Sequence, residues 1–242
     1  MSETTETCWW TVADLEVAYR PELDGAGTRL GPAFADCVRR HATKPRYEHA
    51  FEWCAGPGFI GFTLLARGIV DRLTLCDINP VAIDHVAHTV ATQGLQDRVR
   101  YAVGADLSPL DHAERFDLVV ANPPNFYALN PRHPRYAALH ADLRPNDPQW
   151  RAHQAFYAGI AHFLTADAQL FISEVNPDDQ AVFLPPDEPE PYDLRPRPAT
   201  VDFQRMITAG GLELVGYEDY YLGRDGARLM MMISRPATPA AA

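Results

Sequence analysis

The sequence predicts an α/β fold: a mostly parallel sheet with helices on both faces, finished by a reversed C-terminal β-hairpin. Three observations predict it. Short apolar runs alternate with segments of helical spacing between residues 50 and 175, and the first run ends in a Gly-Pro-Gly turn. At the other end, two strand-like segments are separated only by Leu222-Gly223-Arg224-Asp225-Gly226-Ala227. Alternation at this spacing implies right-handed βαβ units and a sheet covered on both faces. Two strands joined through Asp-Gly pair antiparallel.

Each element follows from its local pattern. Ala50–Cys54 is a short apolar strand, and Phe59–Arg67 has helical spacing behind the glycine turn. Leu73–Cys76 is a second strand, Asn79–Gln93 a second helix, Val99–Val103 a third strand and Phe116–Ala121 a fourth. Trp150–Leu164 is helical and leads to a fifth strand, Gln169–Val175. Phe203–Ala209 is a helix closed by Gly210-Gly211, after which Leu212–Tyr221 and Arg228–Ser234 form the hairpin. Ahead of all this, residues 1–45 are mixed: an apolar stretch through Tyr19, a turn-rich Glu22–Thr28, and a periodic Pro32–His41 with Pro at the first helical position. They are expected to form an N-terminal cap on the substrate side, with residues 46–242 as the main domain. Two segments fit no element, 130–147 with three Pro and three Arg, and the acidic, Pro-rich 176–198. Loops of this length inside a domain are usually functional or disordered.

Composition narrows the partners. The 242 residues carry 32 acidic against 21 basic side chains, a net charge of −11, which works against a surface that neutralises many phosphates. Nucleic acid is therefore a disfavoured partner. Cys8, Cys37, Cys54 and Cys76 lie far apart without a C-x-x-C pair, so no metal site and no disulfide framework is expected. No apolar run approaches the roughly 20 residues of a membrane span, and the start carries acids where a secretory signal has basic residues. A cytoplasmic protein is expected, with a homodimer left open.

The chemistry-bearing residues sit at the ends of strands. In Glu52-Trp53-Cys54-Ala55-Gly56-Pro57-Gly58-Phe59-Ile60, the glycines allow close approach of a nucleotide-like ligand and expose helix N-terminal N–H groups. The same turn would also serve as a plain strand-to-helix loop. Glu52 stands where it would repel a pyrophosphate and welcome a cationic ligand. Asp77, after the second strand and before Ile78, is placed to accept hydrogen bonds from ribose hydroxyls, or else to cap the next helix. Asp106, before Leu107 and after the third strand, could accept from an exocyclic amine. The fourth strand runs into Asn122-Pro123-Pro124-Asn125-Phe126-Tyr127. Two prolines there give no N–H and fix φ, so Asn122 stands before a rigid corner.

These residues resemble the class I S-adenosylmethionine-dependent methyltransferases, with their Rossmann-like, seven-stranded sheet and reversed hairpin. The corner resembles the branch of that family that methylates planar or amide-like nitrogen, including release-factor glutamine N5-methyltransferases. The resemblance implies S-adenosylmethionine as cofactor, held by Thr28, Glu52, Cys54, Ala55, Gly56, Gly58, Phe59, Ile60, Asp77, Ile78, Asp106, Leu107 and Asn122. It implies a catalytic corner of Asn122, Pro123, Pro124 and Asn125, in which the Asn122 side-chain oxygen and the Pro123 carbonyl accept from the target NH₂. Two departures stand out: Cys54 occupies the family's first glycine, and Asn125 the place of the aromatic after Pro-Pro, with Phe126 and Tyr127 behind it. The displaced aromatic and the acidic charge weigh against a nucleobase acceptor. A small metabolite is the first expectation, with Glu174 and the acidic loop binding a cation and Arg132 or Arg135 clamping a carboxylate; free arginine would fit. A protein glutamine or other side chain is the alternative, followed by a nucleobase and by an inactive methyltransferase-like subunit.

Overall fold

The computed structural model describes residues 6–124, 128–129, 147, 150–175, 192–193, 200–222 and 228–238. The chain divides into two compact units, Met1–Ala121 and Asn122–Ala242.

The first unit opens with a hairpin, β1 (Cys8–Val12) and β2 (Leu15–Tyr19), paired antiparallel as a separate two-stranded sheet. Its turn is Ala13-Asp14, with Ala13 at φ 52°. Asn or Gly usually takes that left-handed position, so the sequence shows an apolar stretch and no hairpin. The hairpin packs inward: the Ala18 N–H donates to Thr89 Oγ1 at 2.9 Å, and the Trp10 and Tyr19 rings stand edge-on to Phe59 at 5.5 and 5.2 Å. The β1–β2 hairpin thus folds within the first unit, against the helices that contain Phe59 and Thr89. Helix α1 (Gly27–His41) starts five residues ahead of the expected Pro32. Pro32 lies inside it, at the cost of one N–H bond to the preceding turn.

Then come β3 (Tyr47–Trp53), α2 (Phe59–Ala66), β4 (Val70–Asp77), α3 (Pro80–Thr92), β5 (Val99–Val103) and β6 (Phe116–Ala121). β3 pairs parallel with β4 on one side and β6 on the other, and β4 pairs parallel with β5. All six residues of β6 and all but Glu48 of β3 are buried, the continuous pattern of a parallel strand covered on both faces. The register levels the carboxyl ends: Trp53 lies opposite Cys76 and Ala121, and Asp77 opposite Val103. The chain leaves β3 for β4 on one side and returns to β6 on the other, the switch point at which open α/β sheets bind ligands.

The second unit holds a two-residue pair, β7 (Ala128–Leu129) with β9 (Tyr192–Asp193), and the elements α4 (Arg151–Ile160), β8 (Leu164–Val175), α5 (Thr200–Ala209), β10 (Leu212–Leu222) and β11 (Arg228–Pro236). β11 is antiparallel to both β8 and β10, with Met230 opposite Glu174. The seven-stranded sheet has the order β10-β11-β8-β6-β3-β4-β5, which is the fold the sequence predicts, reversed hairpin included. Among the described residues no helix is long and apolar enough to cross a membrane.

Candidate active site

The turn after β3 is built from left-handed residues at alternate positions: Cys54 at φ 54°, Gly56 at φ 53° and Gly58 at φ 85°. At Gly56 a Cβ would meet no atom within 4 Å, so glycine answers a backbone demand and leaves the turn's outer side clear. At Gly58 a Cβ would also press on the Phe62 ring at 2.8 Å. The Ala55 N–H donates to the Cys76 carbonyl at 3.0 Å, and the Gly58 N–H to the Ala55 carbonyl at 2.8 Å. α2 then starts at Phe59, whose ring fills the space above Gly27, where any Cβ would collide with it. This contact brings the start of α1 to the turn. Thr28, in that first turn, donates its N–H and Oγ1 to Asp24 at 3.0 and 3.3 Å.

Asp77 joins two loops. Its Oδ2 accepts the Gly56 N–H at 2.7 Å and its Oδ1 the Asn79 N–H at 2.8 Å. Burial raises its pKa, against the pull of those two N–H groups. Each oxygen still has a lone pair for another donor. Beside it, Ile78 is 44% exposed and Val81 36%, an apolar surface next to a carboxylate. Asp106 is exposed, and its Oδ1 accepts the Ser108 N–H at 2.9 Å. The Ser108 hydrogen bonds lower its pKa, so it is charged at neutral pH. Leu107 behind it is buried.

Glu52 differs from the cation-facing carboxylate the sequence suggests. It is 1% exposed, and its Oε2 accepts the Gly61 N–H at 2.7 Å. Burial pushes its carboxyl up to about 8, opposed by that N–H. The physical reason is its place on β3: the side chain lies under the first turn of α2, where a Cβ at Gly61 would strike it. Glu52 therefore anchors the turn. Ile60, also in that first turn of α2, is buried.

Asn122 and Pro124 are half-buried and Pro123 buried, directly after β6. Neither proline has an N–H, so the two prolines of this corner offer only carbonyl acceptors. Asn125, Phe126, Tyr127, Arg132 and Arg135 lie outside the described residues, as does nearly all of loops 130–147 and 176–198.

In the second unit, Glu174 has a partner that the sequence reading missed. His153 is fully buried between two carboxylates: Nδ1 stands 2.6 Å from Asp147 Oδ2, and Nε2 3.1 Å from Glu174 Oε1. Asp147 also accepts the N–H groups of Ala152 and His153 at the start of α4. Burial alone would lower the imidazole's pKa, but Glu174 and Asp147 raise it to about 9, so both ring nitrogens carry protons at neutral pH. Glu174 is 0% exposed, and its Oε2 and the buried Tyr157 hydroxyl make no hydrogen bond among the described residues. This replaces the expected acceptor cation with an internal imidazolium. One signal was legible: His153 shares the apolar face of Phe156, Tyr157 and Ile160.

Residues 36–133 match the family model of the methyltransferase small domain. A ribosomal protein uL3 glutamine methyltransferase of Francisella tularensis is 38% identical over 71 residues, 29% of this chain and 22% of that protein. A release factor glutamine methyltransferase of Clostridium acetobutylicum is 32% identical over 124 residues, 50% of this chain and 41% of that protein. The chain thus spans less than half the length of the curated relatives it matches. In fold it is similar to a solved S-adenosylmethionine-dependent methyltransferase from C. acetobutylicum, with a TM-score of 0.56 at 12% identity over 86% of this chain and 92% of that one. In its matched span, its strand order and its reversed hairpin the chain is similar to the S-adenosylmethionine-dependent methyltransferases.

Proposed function

We propose that this chain is an N-methyltransferase that uses S-adenosylmethionine and acts on the side-chain amide of a protein glutamine. The observation that carries the reading is the matched span 36–133, which contains both the Gly56–Asp77 cradle and the Asn122-Pro123-Pro124 corner. The two relatives are named as glutamine methyltransferases, which favours a protein glutamine over the small metabolite that the sequence alone put first.

The residues present fit the cofactor. Asp77 keeps one lone pair on each oxygen for the ribose hydroxyls, exposed Ile78 offers a flat apolar contact, and no side chain at Gly56 obstructs approach to the turn. When bound, the cofactor supplies a methyl group activated by a sulfonium. An amide nitrogen is a poor nucleophile because its lone pair is delocalised, so its two N–H groups must be held while that pair is aimed. Acceptors at the Asn122 side-chain oxygen and the Pro123 carbonyl would hold them. The two prolines fix φ at the corner and so fix the direction in which those oxygens point.

The test is incubation with methyl-labelled cofactor and a mixture of ribosomal protein uL3, a peptide release factor, free amino acids, tRNA and DNA, followed by peptide mass spectrometry. Label on a glutamine side-chain nitrogen is expected. Label confined to free amino acids or nucleic acid would overturn the acceptor, and no transfer to any of them would overturn the activity.

A further inference from the structure

We propose that the buried thiol of Cys76 is a positioning residue: it holds the 104–106 loop in place and thereby sets how Asp106 meets the adenine of the cofactor. This deepens the proposed function and rests on it. Cys76 lies in β4 between Leu75 and Asp77, fully buried. Its Sγ stands 3.6 Å from the Gly104 carbonyl and 3.9 Å from the Asp106 carbonyl, within reach of a bifurcated S–H donor.

The backbone around it serves the same site. The Cys76 carbonyl accepts the Ala55 N–H at 3.0 Å, and the Asp77 carbonyl accepts the Gly104 N–H at 2.9 Å. Two adjacent residues of β4 therefore tie the glycine turn on one side to the 104–106 loop on the other. The loop has been cut to fit: a Cβ at Gly104 would collide with the Pro109 ring and approach Cys76 Sγ to 3.3 Å. Asp106 itself is exposed, and its side chain is held by a local bond to Ser108, so its position relative to β4 depends on the backbone that the thiol holds. Burial, with the Asp77 and Asp106 charges adding to it, pushes the thiol up to about 12. It stays protonated across the working range and remains a donor.

Discrimination of the adenine amine from a carbonyl reads this role. Titration calorimetry compares S-adenosylhomocysteine with S-inosylhomocysteine on wild type, Cys76→Ala, Cys76→Val and Cys76→Ser, alongside Asp106→Ala. Wild type is expected to prefer the adenosyl ligand, and Asp106→Ala to lose that preference. In Cys76→Ala and Cys76→Val the preference falls about two- to fivefold, the size expected for a weak S–H donor. Affinity for the inosyl ligand is unchanged, and Cys76→Ser, whose hydroxyl donates to the same carbonyls, retains the wild-type ratio. A ratio unchanged in both Ala and Val variants, or equal weakening of both ligands, overturns the positioning role and leaves the cofactor site standing. A wild-type ratio near one overturns Asp106 as the reader of the amine, and the role of Cys76 with it. Absence of binding of either ligand to wild type overturns the proposed function itself.

Discussion

The Asp77 carboxylate accepts the Gly56 N–H at 2.7 Å, bridging 21 residues of sequence. The bond welds the end of β4 to the turn after β3 before any ligand arrives. It also fixes the carboxylate's direction, because the second oxygen is held by the Asn79 N–H. A preorganised acceptor of this kind contributes affinity by lowering the ordering cost of binding.

Cys54 occupies a left-handed conformation at φ 54°. That conformation costs a residue with a Cβ roughly 1–2 kcal/mol, while glycine adds about 0.5–1 kcal/mol of unfolded-state entropy. Cys54→Gly is expected to gain about 0.5–1 kcal/mol in urea unfolding, and Cys54→Val, with a β-branched side chain at positive φ, to lose at least about 1 kcal/mol. A less stable glycine variant would show that the thiol's own contacts outweigh the strain.

His153 gives the second unit a pH dependence. Its folded pKa of about 9 lies above the ordinary 6.5, so its contribution is complete below pH 6.5 and is lost as pH rises through 9. Glu52, raised from 4.5 to about 8, acts in the same direction between those values. Asp147, held below its ordinary range mainly by the His153 hydrogen bond once burial is overcome, adds a loss of stability under acid. The melting temperature should fall between pH 6.5 and 9, and His153→Gln should flatten that decline. In an NMR titration the wild-type imidazole should stay protonated at pH 7.5, with a lower midpoint in Glu174→Gln. A neutral His153 at pH 7.5 would contradict the two-carboxylate geometry.

Asn122→Ala separates chemistry from binding. The contact assigned to Asn122 orients the acceptor, so turnover should drop on the order of 100-fold while affinity for S-adenosylhomocysteine changes little. If affinity collapses and turnover per bound cofactor persists, Asn122 belongs to the cofactor cradle alone.

What the sequence shows and hides follows from the range of the interactions. Strands β5 and β6 are legible to the residue, because Val99–Val103 and Phe116–Ala121 are bounded runs of local pattern. Asp77 is legible too, as an acid at a strand end beyond a glycine turn. The β1–β2 hairpin is hidden because its turn uses Ala13 in place of a turn-forming residue. Glu52 shows its charge in sequence but not its burial under α2, which depends on the absent side chain of Gly61. The Asp147–His153–Glu174 cluster is hidden because Asp147 meets His153 locally at the start of α4, while Glu174 reaches the imidazole from β8 only through tertiary packing.

The most direct measurement is the affinity of S-adenosylhomocysteine for wild type and Asp77→Ala by calorimetry, with thermal unfolding confirming that both are folded. Removing a half-buried carboxylate placed to accept two hydroxyl donors should cost on the order of 2–4 kcal/mol, a loss of about 30-fold or more. Binding to wild type with that loss in the variant is the predicted result; equal affinity in the two proteins would contradict the assignment of this cradle to the cofactor.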